Sequence, residues 1–175
     1  MSTTLSFQPL LVIGHLVSLA IPCIFIAIQD IRERSVSLVW FVLLFIIATS
    51  IHYIEEGIHH LVKNSIYNML FVSIQLFLLH CYFWVKERKI SLLFDQKLGW
   101  GDVVFLMSPI VFFSLPYFII FYLSSLVFTL ILSLSIQKLS SNFKTIPLAG
   151  MQAIYFILYL ILCIAIKASP FSVFL

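Results

Sequence analysis

Charged residues are scarce in this chain of 175 residues, where Asp, Glu, Lys and Arg make up 10% and hydrophobic residues 62%. Soluble domains carry roughly 25% charged residues. So few charges cannot cover a globule in water, which excludes an ordinary soluble domain and predicts an all-α, polytopic protein embedded in a lipid bilayer. No block of basic residues is present, so nucleic acid is not expected as a partner.

Paired cysteines are also missing, and a secretory leader is not expected. Cys23, Cys81 and Cys163 each stand alone in an apolar run, which favours small buried hydrophobic residues over a zinc site. The N-terminus lacks the positive segment and the small-residue cleavage site of a signal peptide. No internal repeat or low-complexity linker occurs, so we predict a single membrane domain over residues 1–175 without a separate soluble domain or a cofactor.

Long apolar runs are what the chain does contain, near residues 9–28, 38–54, 66–85, 103–136 and 147–167. The fourth run is long for one span and slightly short for two, and it contains Pro109 and Pro116. A proline breaks a helix or starts a new one. A hairpin turning near residues 114–116 yields six spans, and a single kinked helix yields five.

The distribution of Lys and Arg distinguishes these two topologies. In the six-span topology one side carries only Lys63 and Lys167, and the other side carries the remaining basic residues: Arg32, Arg34, Lys86, Arg88, Lys89, Lys97, Lys138 and Lys144. The bias is weaker with five spans. Because cytoplasmic loops are enriched in Lys and Arg, we predict a six-transmembrane-helix bundle with three cytoplasmic basic loops and both termini extracytoplasmic.

Two acids then fall at the cytoplasmic edge of the membrane. Asp30 ends the first helix and Asp102 begins the fourth. Either could be a simple boundary charge, with Asp102 facing a helix dipole and Asp30 paired with Arg32 or Arg34. Two carboxylates that share a proton could instead act together, one as a general acid while the other activates water.

Three motifs carry a resemblance to a known family. "LGWGD", with Gly99, Trp100, Gly101 and Asp102, resembles the GxGD signature of membrane aspartyl proteases. "QDIRERSVSLVW" resembles the first-aspartate motif of prepilin peptidases, also called type IV leader peptidases. "KTIPLAGMQA" resembles the Ile-Pro-Phe-Gly-Pro stretch of that family. The resemblance runs from the first helix to the last.

The resemblance implies a membrane aspartyl endopeptidase of six helices with Asp30 and Asp102 as catalytic residues and water as nucleophile. The substrate would be a pilin-like precursor, cut at the cytoplasmic face of the inner membrane. Gly99, Trp100 and Gly101 would shape the turn before Asp102, and we expect Arg32 and Arg34 to position the leader or the loop. The cysteine-rich insert of methylating relatives is absent, so N-methyltransferase activity is not expected.

Two alternatives stay open. The chain could be a non-enzymatic transport or assembly factor whose acids form an ion or proton site, although it lacks the repeat symmetry common in carriers. It could also be a GxGD protease of the presenilin or signal-peptide-peptidase kind, but Gln29 rather than Tyr precedes Asp30. The precursor's identity and the oligomeric state are left open.

The stretch "HYIEEGIHH" contains residues that can bind metals. His52, Glu56 and His59 would share a helix face, but a di-iron site needs carboxylates from other helices as well. We therefore predict no metal site and interpret the stretch as a solvated extracytoplasmic loop. His15 is predicted to be a hydrogen-bonding histidine inside an apolar run.

Overall fold

The computed structural model describes residues 9–33, 35–87, 100–139 and 148–165. Their regular structure is entirely helical, which agrees with the predicted all-α class. The helices are α1 (Pro9–Glu33), α2 (Leu38–Glu87), α3 (Trp100–Phe112), α4 (Leu115–Leu139) and α5 (Leu148–Ala165).

Four helices are long and apolar enough to cross a membrane, over Ile13–Glu33, Leu38–Lys86, Leu115–Ser135 and Leu148–Ala165. The fifth, α3, has only 13 residues. At 1.5 Å per residue it extends about 20 Å, less than the hydrocarbon core of about 30 Å. The described residues therefore form a membrane-embedded bundle of five helices, and the predicted count of six is not confirmed.

Helix α2 is interrupted at Gly57, whose φ of 80° and ψ of 171° are not helical. Positive φ is costly for residues with a Cβ, so glycine suits this position. His52 and Asn68 lie on either side of the break, and both bind carbonyl groups near the end of α3. In an unbroken helix they would be separated by about 24 Å along the axis, so the break turns the two arms of α2 toward one another.

The long fourth apolar run is divided at residues 113–114, beside the predicted turn near 114–116. The amide of Phe113 bonds to the carbonyl of Pro109 at 3.1 Å, and the amide of Phe118 bonds to the carbonyl of Ser114 at 2.9 Å. The turn thus ends one helix and starts another within two residues. Its residues are buried, so their backbone groups need partners from within the protein.

Side chains of α2 supply those partners. The Asn68 amide donates to the carbonyls of Ile110 at 2.9 Å and Phe113 at 2.7 Å, and Nδ1 of His52 lies 2.6 Å from the carbonyl oxygen of Val111. His52 and Asn68 are both fully buried. We call this group of contacts, from His52 and Asn68 to the carbonyls of residues 110–113, the turn clamp.

The turn clamp corrects the interpretation of "HYIEEGIHH" as a solvated loop. His52 lies on a helix and is buried, although His59 and His60 are exposed. The loop interpretation failed because the charged residues suggested solvent on both sides of Gly57. His15 pairs with Glu55 at 3.6 Å, with both side chains about a quarter exposed.

Aromatic rings fill the space between α4 and α5. Phe121 packs against Phe156 and Tyr159, with ring centroids 5.5 Å apart in both pairs, and Phe128 packs against Tyr155 at 4.9 Å. Residues later in α4 therefore contact residues earlier in α5, so these two helices are antiparallel. Helix α4 therefore returns toward the end of the bundle at which α5 begins.

Candidate functional site

Asp30 lies in the last turn of α1 and reaches the first turn of α5. Its Oδ2 accepts a hydrogen bond from the backbone amide of Gly150 at 2.6 Å. The first amides of a helix have no partner within the helix and carry partial positive charge, so a carboxylate is favourable there. This contact joins the first and third sequence motifs across 120 residues of chain.

Gly150 permits this close approach because it has no side chain. A Cβ at this position would lie 3.0 Å from Cβ of Asp30, 3.1 Å from its Oδ2 and 3.3 Å from Cα of Ala27. Two of these atoms belong to or adjoin the backbone of α1, which cannot rotate away. Glycine is therefore required for α1 and α5 to pack at this distance.

The link between α1 and α2 closes over the same end of the bundle. The amide of Ser37 donates to Oε1 of Gln29 at 3.0 Å, and the amide of Trp40 donates to the carbonyl of Ser37 at 3.2 Å. The ring of Trp40 stacks on Phe25 with centroids 4.1 Å apart. The Gln29 side chain thus binds the backbone just before α2.

Asp102 lies in the first turn of α3 and is partly buried. The neighbouring Gly101 faces Phe41 near the start of α2, where an added Cβ would be 3.9 Å from Cζ of that ring. The start of α3 therefore lies beside the start of α2, and the start of α2 follows the end of α1. Asp30 and Asp102 accordingly lie at the same end of the bundle.

Among the contacts of the described residues, no hydrogen bond joins the two carboxylates. Within the described part of the chain the amide of Gly150 is the hydrogen-bond partner of Asp30, and Asp30 forms no ion pair with Arg32. Arg32 is exposed at the end of α1. At this end of the bundle Asp30 therefore binds Gly150 directly. Asp102 lies at the same end.

The remaining predicted site residues are described only in part. Gly99 and Arg34 fall outside the described residues, and Trp100 is described as the first residue of α3 but not by its side chain. Among the described residues no group of three or more His, Cys, Asp or Glu side chains could hold a metal ion.

Sequence reasoning missed the contact of Gly150 with Asp30 and the role of Asn68. Motif spacing does suggest that "IPLAG" lies near the first aspartate, but it does not show which backbone group the carboxylate binds. Asn68 is a polar residue within the apolar run of residues 66–85, where Tyr67 and Met69 flank it. A polar residue inside an apolar helix is the signal that could have identified it.

Comparison of the chain with protein-family models, with curated proteins and with solved structures finds no match. The function proposed below therefore rests on the geometry of Asp30, Gly150 and Asp102 and on the resemblance of the three motifs.

Proposed function

We propose that the chain is a membrane aspartyl endopeptidase of the prepilin peptidase type, which removes the leader of pilin-like precursors. Asp30 and Asp102 form the dyad at the cytoplasmic face of the inner membrane. The two arms of α2 each count as a crossing, and α3 with α4 forms a hairpin, which together give six helical segments and extracytoplasmic termini.

The observation that carries this proposal is the hydrogen bond from Gly150 to Asp30 at the end of the bundle where α3 begins with Gly101 and Asp102. Three motifs separated in sequence by up to 120 residues meet at this end. A family resemblance of short motifs gains weight when the fold gathers them, because chance matches have no reason to cluster.

The reaction would use water as nucleophile. The bond from Gly150 occupies Oδ2 of Asp30 and leaves Oδ1 for a proton or a water molecule. One carboxyl group of the pair, protonated, donates to the scissile carbonyl, while the ionised one removes a proton from the attacking water. Substrate binding would bring Asp102 and Asp30, which lie at the same end of the bundle, within reach of one water molecule.

The cleavage assay uses a synthetic precursor with a short basic leader followed by an apolar helix. Purified wild-type protein in detergent should cleave it, and Asp30→Asn and Asp102→Asn should each lower the rate by about a thousandfold or more. Glu33→Gln is the matched control, because it removes an exposed carboxylate three residues from Asp30. Wild-type rates in either Asp variant would exclude the dyad.

One observation favours a second candidate, a non-enzymatic membrane protein whose acids form an ion or proton site. The described bond of Asp30 is to a helix end, which is also what a purely electrostatic or structural carboxylate would form. In proteoliposomes such a protein would carry a proton or cation flux that Asp30→Asn abolishes, and wild-type protein would leave the precursor intact. The peptidase would give the opposite pair of results.

A further inference from the structure

Gln152 is a buried amide without an obvious structural purpose. Only 2% of its surface is exposed, and its Oε1 has no hydrogen-bond partner within the described part of the chain. Leaving a buried acceptor unpaired costs free energy, and most buried polar groups in proteins are paired. A leucine or methionine would fill the same space without that cost. Other buried side-chain atoms of the described residues also lack a partner, but among them Gln152 Oε1 is the one on α5, two residues from Gly150.

The register of α3 and α5 shows where this amide lies. Phe156 of α5 packs against Phe105 with ring centroids 6.5 Å apart and against Phe112 at 5.6 Å, so this side of α5 faces α3. Gly101 near the start of α3 lies beside Phe41, and Gly150 near the start of α5 binds Asp30, so both helices start at the end that carries Asp30 and run in the same direction.

Gln152 lies near the start of α5, as Asp102 lies near the start of α3. Gln152 precedes Phe156 by four residues, and residues three or four apart share a helix face. Gln152 therefore lies on the side of α5 that faces α3, about one turn nearer than Phe156 to the start of α5, where Gly150 binds Asp30.

We infer that Gln152 is a substrate-positioning residue, whose Oε1 accepts a hydrogen bond from a backbone N–H of the precursor beside the bond to be cut. This inference rests on the proposed peptidase function. An unpaired acceptor needs a donor, and an extended peptide presents backbone N–H groups at regular intervals. Binding through the backbone would align the scissile carbonyl with Asp102 and leave the side chains of the precursor unrestricted at this point.

The test measures KM, kcat and the thermal unfolding midpoint of wild-type protein, Gln152→Met and Gln75→Met with the synthetic precursor. Gln75 is the matched control, since its Oε1 is also buried without a partner in the described residues but lies on α2. Gln152→Met should raise KM by about tenfold with kcat changed less than about threefold. Its unfolding midpoint should be equal to or above that of wild-type protein, because an unpaired amide has been removed. Gln75→Met should leave KM unchanged.

The inference is overturned if Gln152→Met keeps the wild-type KM or if Gln75→Met raises KM equally. It is also overturned if Gln152→Met unfolds at a lower temperature than wild-type protein, because the amide would then support the fold. These outcomes leave the dyad intact, because wild-type protein still cleaves and the Asp variants do not. Absence of cleavage by wild-type protein is a different result, which removes the proposed function and this inference with it.

Discussion

Two contacts in which a side chain of one helix binds the backbone at the end of another differ in chemistry. At the start of α5 the carboxylate of Asp30 accepts from the amide of Gly150. At the end of α3 the turn clamp binds carbonyl groups, through the side chains of His52 and Asn68. Each partner has the sign that the helix end requires, an acceptor for free amides and a donor for free carbonyls.

The surroundings of these two contacts also differ. The clamp residues are fully buried, whereas Asp30 is only partly buried at an end of the bundle. An uncharged amide is sufficient to satisfy carbonyls in an apolar interior, where a charge would be costly. A carboxylate is more than a helix start needs, because Ser, Thr or Asn serve equally well. The turn clamp therefore serves stability. The negative charge of Asp30 is not needed to hold α1 and α5 together, which is compatible with a role in a reaction.

The largest change in stability should come from the turn clamp. Asn68→Leu removes both bonds to the carbonyls of Ile110 and Phe113 and leaves those groups buried without these donors. We expect the free energy of unfolding to fall by about 3 kcal/mol, measured by SDS titration in mixed micelles. Asn64→Leu makes the same change on the same helix at a position that is only partly buried, and should cost less than about 0.5 kcal/mol. Equal losses of unfolding free energy in the two variants would show that the turn clamp does not stabilise the fold.

The contact between α1 and α5 should respond next. Gly150→Ala places a methyl group 3.0 Å from Cβ of Asp30 and 3.3 Å from Cα of Ala27, so the helices must separate. We expect a loss of about 2 kcal/mol in unfolding free energy and a loss of cleavage of at least about a hundredfold.

Gly14→Ala provides the control for that variant, because nothing lies within 4 Å of the added methyl group. It should leave cleavage unchanged and the free energy of unfolding equal or higher, since alanine favours a helix. Wild-type cleavage by Gly150→Ala would show that the Asp30–Gly150 distance does not matter to the reaction.

Asp30→Asn should separate stability from activity. The amide oxygen of asparagine can still accept from Gly150, so only the charge interaction with the helix start is lost, about 0.3–1 kcal/mol. Cleavage should fall by about a thousandfold or more, as in the assay above. A variant that loses several kcal/mol of unfolding free energy would instead make Asp30 a structural residue.

The smallest effect should come from the link between α1 and α2. Gln29→Ala removes an exposed bond to the amide of Ser37, which should cost about 0.5 kcal/mol and lower cleavage by less than about threefold. Gln29→Glu retains an acceptor oxygen and should behave as wild-type protein in the unfolding titration. A thousandfold loss of cleavage in Gln29→Ala would place this residue in the reaction itself.

Local sequence predicted much of the helical layout. Composition predicted the membrane class, and the prolines predicted the break in the fourth run, which occurs at residues 113–114. The break at Gly57 was predicted as a loop because five polar or charged residues surround it. Helices can carry such residues where a bundle end meets solvent, so polarity alone did not distinguish a loop from a one-residue break.

The sequence by itself determined the apolar helices and the identity of the two candidate acids, because these depend on residue type and short spacing. Only the tertiary structure decided that Asp30 binds Gly150 and that His52 and Asn68 hold the turn after α3. Those contacts join residues 42 to 120 positions apart. They depend on how whole helices pack, which no local pattern specifies.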